Sequence, residues 1–122
     1  MSLSFSQVAA LVCYALGMTV GQMMFKFASG GSHSAPHRDL FGGLLALILN
    51  PFFATSLILY LVLSVCWVWL LAFIPISKAY PFVAISFVGT SIGGWIFFGE
   101  RLTVTNLFGL AMLGTGIVLV AR

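Results

Sequence analysis

Residues 52–74 read FFATSLILYLVLSVCWVWLLAFI, 23 positions without a charge. A helix crossing a bilayer needs about 20 mostly apolar residues, so this stretch is long enough to span. Three more runs of the same kind lie at about 8–29, 79–99 and 104–121. Backbone groups in hydrocarbon must be satisfied within the segment, so the runs are expected to be helices. The period-2 alternation of a membrane barrel strand is absent. The fold class that follows is all-α and integral to the membrane, with four transmembrane helices.

The bulk numbers agree. The chain has 122 residues, 61% hydrophobic and 6% charged, with a mean hydropathy of +1.18. A soluble domain carries roughly a quarter charged residues. One domain, 1–122, accounts for the whole length. Four spans leave only short connections, too little for a hydrolytic or redox centre, so no enzyme and no cofactor are expected. The net charge of +3 arises from five Lys/Arg against Asp39 and Glu100. Five cations flanking membrane spans are ordinary anchors and point to no nucleic acid. Cys13 and Cys66 fall inside apolar runs and read as small buried hydrophobes, without a disulfide or metal. Met1 to Gln7 has neither a basic n-region nor a cleavage site, so the first run reads as a retained span.

The connections differ in character. GGSHSAPHRD, 30–39, is the most polar stretch. The apolar LFGGLLALILN, 40–50, is about half the length needed to cross. Asn50-Pro51 closes it, because a residue before proline leaves the helical region. It reads as a short interfacial helix before the second span. Pro75-Ile76-Ser77-Lys78 reads as the next break. Pro81 then falls in the first turns of the third span, where a missing N–H is least costly. Glu100 to Thr103 forms the last turn. Four spans put both termini on one side, with Lys78 and Arg122. Lys26, Arg38, Asp39, Glu100, Arg101 and both histidines gather on the other. Three Lys/Arg against two leave almost no positive-inside bias. Either the chain inserts both ways or a partner settles its orientation.

Ala15, Thr19, Gln22 and Lys26 follow helical spacing and form one polar stripe. The plain reading of Lys26 is a side chain snorkelling to the head groups. Gln22 lies deeper and its amide needs partners, so the stripe is expected to face protein or a cavity. A lysine at the mouth of such a cavity suits an anion such as phosphate. Glu100 adjoins a span on the same face. Two arrangements are open: a Lys26–Glu100 pair, or a Glu100–Arg101 surface cap. Glu100 could also bind a cationic sugar or amine. Gly89 and Gly93 make a GxxxG on the third span, and Gly109 and Gly116 sit seven apart on the fourth. Small residues let helices approach closely in lipid. The plain reading is packing within one bundle; the sharper one, expected here for these four glycines, is packing against a partner subunit, because four helices enclose no large pathway alone. Trp67, Trp69, Trp95, Tyr60 and Tyr80 read as packing or interface aromatics, with Tyr80-Pro81 able to set a bend. His33 and His37 lack a certain third ligand, and no metal site is expected.

Taken in order, these residues resemble a known pattern. Gly21-x-x-x-x-Lys26-Phe27 on the first of four spans resembles the small multidrug resistance proteins. Gly99-Glu100-Arg101-Leu102-Thr103 and the Gly109 to Gly116 spacing fit the same drug/metabolite transporter (EamA-type) superfamily. Asn50-Pro51, the Trp67/Trp69 pair and Ala79-Tyr80-Pro81-Phe82 resemble the aminoarabinose-phosphoundecaprenol flippase subunits. The resemblance covers nearly the whole chain. It implies a four-helix subunit working in pairs, in the bacterial inner membrane, on a lipid-linked aminosugar. One departure separates the branches. The drug exporters carry a proton-binding glutamate eight residues before the lysine, and that position here is Met18. No other acid lies inside a span.

The expected function is therefore a flippase subunit, acting as a homodimer or with a related four-helix chain, for a polyprenyl-phosphate-linked sugar or similar anionic lipid. Lys26, Gln22 and Thr19 would receive phosphate or sugar hydroxyls. Glu100 would meet an amine or hold Lys26, and Tyr80 and Pro81 would shape the pathway wall. Two alternatives stay open: a small multidrug-type exporter of cations, and a non-transporting accessory subunit.

Overall fold

The computed structural model describes residues 3–32 and 39–121. It is all-helical there: α1 (Phe5–Ser32), α2 (Leu40–Ile48), α3 (Pro51–Leu71), α4 (Ile76–Phe98) and α5 (Val104–Ala121). α1, α3 and α4 are each long and apolar enough to cross a membrane, and α5 is apolar but shorter. His33, His37, Arg38 and Arg122 lie outside the described residues.

Short polar side chains set the helix boundaries. Ser4 and Gln7 form a reciprocal cap: the Gln7 N–H donates to Ser4 Oγ at 3.3 Å and the Ser4 N–H to Gln7 Oε1 at 2.9 Å. This capping box satisfies two orphan donors and starts α1 three residues before the expected Val8. Asn50 Oδ1 accepts the Phe52 N–H at 2.9 Å. With Pro51 in the first helical position, that fixes the start of α3. The Asn50 amide also donates to the Ala28 carbonyl at 3.4 Å, tying this corner to α1. Thr103 Oγ1 accepts the Asn106 N–H at 3.3 Å and opens α5.

The third break differs from expectation. α3 ends at Leu71, and α4 begins at Ile76, directly after Pro75. The Pro75 carbonyl takes the Lys78 and Ala79 N–H groups at 2.9 and 3.0 Å, so 76–78 is already helix. Pro81 is consequently the sixth residue of α4, not one of its first three. A residue there would normally donate to the Ser77 carbonyl, so the proline costs the helix one internal bond.

α1 lies between α3 and α4, while α5 packs chiefly on α4. Leu11, Leu70, Ile74, Ala79 and Phe82 form the buried core where α3 turns into α4. Lipid tails are as apolar as leucine, so close shape fit, not water exclusion, must hold such helices together. The fit is carried by two glycine seams. A Cβ at Gly17 would stand 3.0 Å from Leu63 of α3, and one at Gly21 2.6 Å from the Tyr60 ring. A Cβ at Gly89 would stand 2.6 Å from Thr19 Oγ1, and one at Gly93 2.6 Å from Met23 Sδ. Gly89 and Gly93, expected to face a partner subunit, are therefore occupied by α1 of their own chain.

The outer faces are apolar: Leu61, Val65 and Val68 on α3 and Phe108 and Leu119 on α5 are exposed. Cys13 and Cys66 are free and also exposed, not buried as expected. Both sit on helices of membrane length, and the exposed faces of these helices are apolar enough to meet lipid.

Candidate functional site

α1 and α4 run in the same direction, in register from the Leu11–Phe82 core through Thr19–Gly89 and Met23–Gly93. Alongside this seam, from Met18 and Val83 to Lys26 and Phe98, runs a cavity of about 450 Å³. Its polar lining is Gln22 and Lys26 from α1, Ser86, Thr90 and Ser91 from α4, and Glu100. Met18, Met23, Val83, Phe87 and Phe98 supply the apolar wall.

The acid reaches the cavity through backbone chemistry. Gly99 ends α4 with φ +64, a left-handed value that a side chain resists. The turn lets the Glu100 N–H reach back to the Gly94 carbonyl at 3.2 Å. A Cβ at position 94 would stand 2.7 Å from Glu100 Oε2, so Gly94 gives the carboxylate room to fold over the helix end. There Glu100 Oε1 meets Lys26 Nζ at 2.9 Å. Of the two open arrangements, the structure forms the Lys26–Glu100 pair. Lys26 Nζ also stands 5.8 Å from the centroid of the Phe98 ring. Both ionic side chains are half exposed, at 51% each. Ion pairs this open contribute about 0–1 kcal/mol in water, weak enough for a charged ligand to part them.

The rest of the stripe divides. Gln22 donates to the Tyr60 hydroxyl at 2.8 Å, which supplies the partner its depth demanded. Thr19 donates to the Ala15 carbonyl at 3.0 Å and presses on Gly89, outside the cavity lining. Aromatic contacts brace the Lys26 turn on both sides. Phe25 stacks on Tyr60 at 5.3 Å, and Phe27 meets Phe98 at 4.8 Å.

Tyr80 and Pro81 are not in the lining of this cavity, which begins on α4 at Val83, three residues beyond Tyr80, and ends at Phe98, about 27 Å from Tyr80 along the helix at 1.5 Å per residue. Tyr80 meets Trp67 edge-on at 6.3 Å, and Trp67 stacks on Tyr14 at 4.9 Å. Pro81 faces α5, in an apolar crevice of about 440 Å³ with Gly109 and Gly116. Among the described residues, leaving aside the glycine's chain neighbours and the nearby backbone of α5 itself, no atom lies within 4 Å of a Cβ built at either glycine, so both positions leave room for a further side chain.

Sequence reasoning missed Ser86, Thr90 and Ser91. The spacing of four between Ser86 and Thr90 was the available signal, since such residues share a face; Ser91 carried none. Each hydroxyl bonds its own backbone: Ser86 to Val83 at 2.6 Å, Thr90 to Phe87 at 3.1 Å and Ser91 to Phe87 at 2.8 Å.

No family model matches the chain, and no solved structure matches it significantly. Curated relatives do. One is the "probable 4-amino-4-deoxy-L-arabinose-phosphoundecaprenol flippase subunit ArnE" of Hamiltonella defensa subsp. Acyrthosiphon pisum. It is 34% identical over 56 residues, covering 46% of this chain and 50% of the relative. The protein of the same name from Yersinia pestis (strain Pestoides F) is 34% identical over 55 residues, covering 45% and 48%. The matches thus span about half the length of these relatives. Their names describe transport subunits, not enzymes. With three membrane-length helices and this similarity, the chain is a multi-pass membrane protein that resembles the aminoarabinose-phosphoundecaprenol flippase subunits.

Proposed function

We propose that this chain is one subunit of an inner-membrane flippase that translocates a polyprenyl-phosphate-linked aminosugar or a similar anionic lipid. The Lys26–Glu100 pair at the cavity between α1 and α4 carries this reading. An incoming phosphate takes Lys26, an incoming amine takes Glu100, and Gln22 meets sugar hydroxyls. Thr19 contributes by holding α1 against α4. The apolar tail stays in lipid, so only the head group needs a polar route.

In this reading α5 is the fourth span and α2 lies at the interface. Both termini are then on one side, and the Lys26–Glu100 site faces the other. A second four-helix subunit, identical or related, completes the pathway by packing on α5 at Gly109 and Gly116. Tyr80 and Pro81 line the wall at the far end. Met18 lines the cavity where the drug exporters carry their proton-binding acid. A methionine holds no proton, which favours lipid movement over proton-coupled drug export.

The test is translocation in proteoliposomes, with the chain alone and with a related four-helix subunit. A membrane-impermeant amine reagent scores how much polyprenyl-phosphate aminosugar has changed leaflet. Wild-type protein should accelerate transfer over protein-free vesicles, and Lys26→Ala should slow it at least tenfold. Transfer at the protein-free rate in both preparations overturns the flippase reading. An undiminished Lys26→Ala rate overturns the phosphate role.

A further inference from the structure

The hydroxyls on α4 give the cavity a hydrogen-bond polarity. A backbone carbonyl has no hydrogen to give, so Ser86, Thr90 and Ser91 must be the donors in their bonds to Val83 and Phe87. A hydroxyl has one proton and two lone pairs. With the proton spent on the backbone, each oxygen offers only lone pairs. The Glu100 carboxylate is likewise acceptor-only when ionised. The charged donor of the cavity, Lys26, contacts Glu100 at one end of this row.

A surface of this kind matches a ligand whose inner end is rich in N–H or O–H donors. Apart from the Gln22 amide, which already donates to Tyr60, it gives a bare phosphate no donor inside. We infer that Ser86, Thr90 and Ser91 form an acceptor row that selects head groups by their donors. The row orients them with ammonium or sugar hydroxyls inward and the phosphate held on Lys26. This rests on the lipid-translocation reading and assigns the three hydroxyls as its specificity determinants. Two sources offer the shared chemistry, a phosphate ester bearing N–H donors: a polyprenyl-linked aminosugar and phosphatidylethanolamine.

Native mass spectrometry of the whole protein, exchanged into mixed lipid micelles, separates the possibilities. Phosphatidylethanolamine and phosphatidylcholine with identical acyl chains carry the same charges, but only the former has N–H donors. Wild-type protein should retain phosphatidylethanolamine about tenfold over phosphatidylcholine. Thr90→Val with Ser91→Ala, which removes hydroxyls while keeping near-native bulk, should bring that ratio close to one. Lys26→Gln should weaken both lipids equally. Equal retention by wild type overturns the inference. So does a ratio unchanged in the hydroxyl variant, because the preference would then be one of size. Competition with the polyprenyl-phosphate aminosugar identifies the source: displacement of phosphatidylethanolamine assigns the row to the aminosugar. No displacement, with the donor preference intact, removes the aminosugar as the ligand of the row and assigns the row to phosphatidylethanolamine.

Discussion

Gly89→Ala should separate α1 from α4, and the structure gives the size of the effect. The added Cβ would stand 2.6 Å from Thr19 Oγ1 and 2.9 Å from Thr19 Cγ2. Ordinary contact begins at 3.4 Å, so the closer overlap is 0.8 Å (3.4 − 2.6). A flexible neighbour could absorb that. Thr19 cannot easily do so, because it is branched at Cβ and its hydroxyl is bonded to the Ala15 carbonyl. Either the helices part or that bond breaks. Overpacking of this sort costs about 1–3 kcal/mol. Thr19→Ala in the same chain removes both close atoms and leaves Thr19 Cβ at 3.3 Å, so the pair should recover most of the loss. The assay is a double-mutant cycle on unfolding in mixed detergent micelles, which isolates the coupling between two residues in contact. Gly93→Ala is the internal control. Its nearest neighbour is the Met23 thioether, near the end of a flexible side chain, and the cost should be smaller. A wild-type midpoint for Gly89→Ala, or no recovery in the double variant, would refute the seam.

Three further outcomes follow from the site and its surroundings. Gly94→Ala should displace the Glu100 carboxylate and part it from Lys26 with a small effect on stability, of the order of the about 0–1 kcal/mol of an exposed ion pair; a high-resolution structure of the variant with Lys26 and Glu100 intact would read the Nζ–Oε1 separation, and a separation unchanged from 2.9 Å contradicts the packing. Gly99→Ala forces a side chain into the left-handed region and should lower stability by about 1–2 kcal/mol, read as a shifted unfolding midpoint, whereas an unshifted midpoint means the turn does not need that conformation. Gly109→Leu should leave the stability of a single chain near wild type while weakening subunit pairing, measured by crosslinking yield across a dilution series in lipid; equal yields remove α5 from the interface.

The sequence made the helical architecture legible because its dominant signal is hydropathy, and hydropathy needs no knowledge of neighbours. The run at 52–74 and its three companions all became helices, with ends displaced by up to three residues. The displaced starts of α1 and α4 come from capping. Ser4 with Gln7 extended α1, and Pro75 acting from outside the helix pulled the start of α4 back to Ile76. Of the site, Lys26, Gln22 and Glu100 were legible because charged and amide groups are rare in a chain this apolar. Which glycines face which helix was not. Gly89 and Gly93 carry the same small-residue spacing whether the partner is α1 or another subunit, and only the three-dimensional pairing with Thr19 and Met23 decides. Ser86, Thr90 and Ser91 passed unnoticed for a related reason. Hydroxyls in apolar helices commonly bond their own backbone, so their types alone announce no site.

The central position of α1 sets a timetable for the nascent chain. α1 reaches the membrane first, yet the groups that answer its polar side are made later: Tyr60 on α3 for Gln22, Gly89 on α4 for Thr19, and Glu100 for Lys26. At about 5–20 residues per second, the 68 positions between residues 32 and 100 take roughly 3–14 s to synthesise. Throughout that interval Lys26 faces lipid or the insertion machinery without its final partner, and Gln22 does so until Tyr60 is made. α3, the most apolar of the three membrane-length helices, arrives in between and brings Tyr60 to Gln22 first. Assembly is thus ordered by translation: the α1–α3 pair forms early, and the cavity between α1 and α4 exists only once the last turn of α4 has closed behind it.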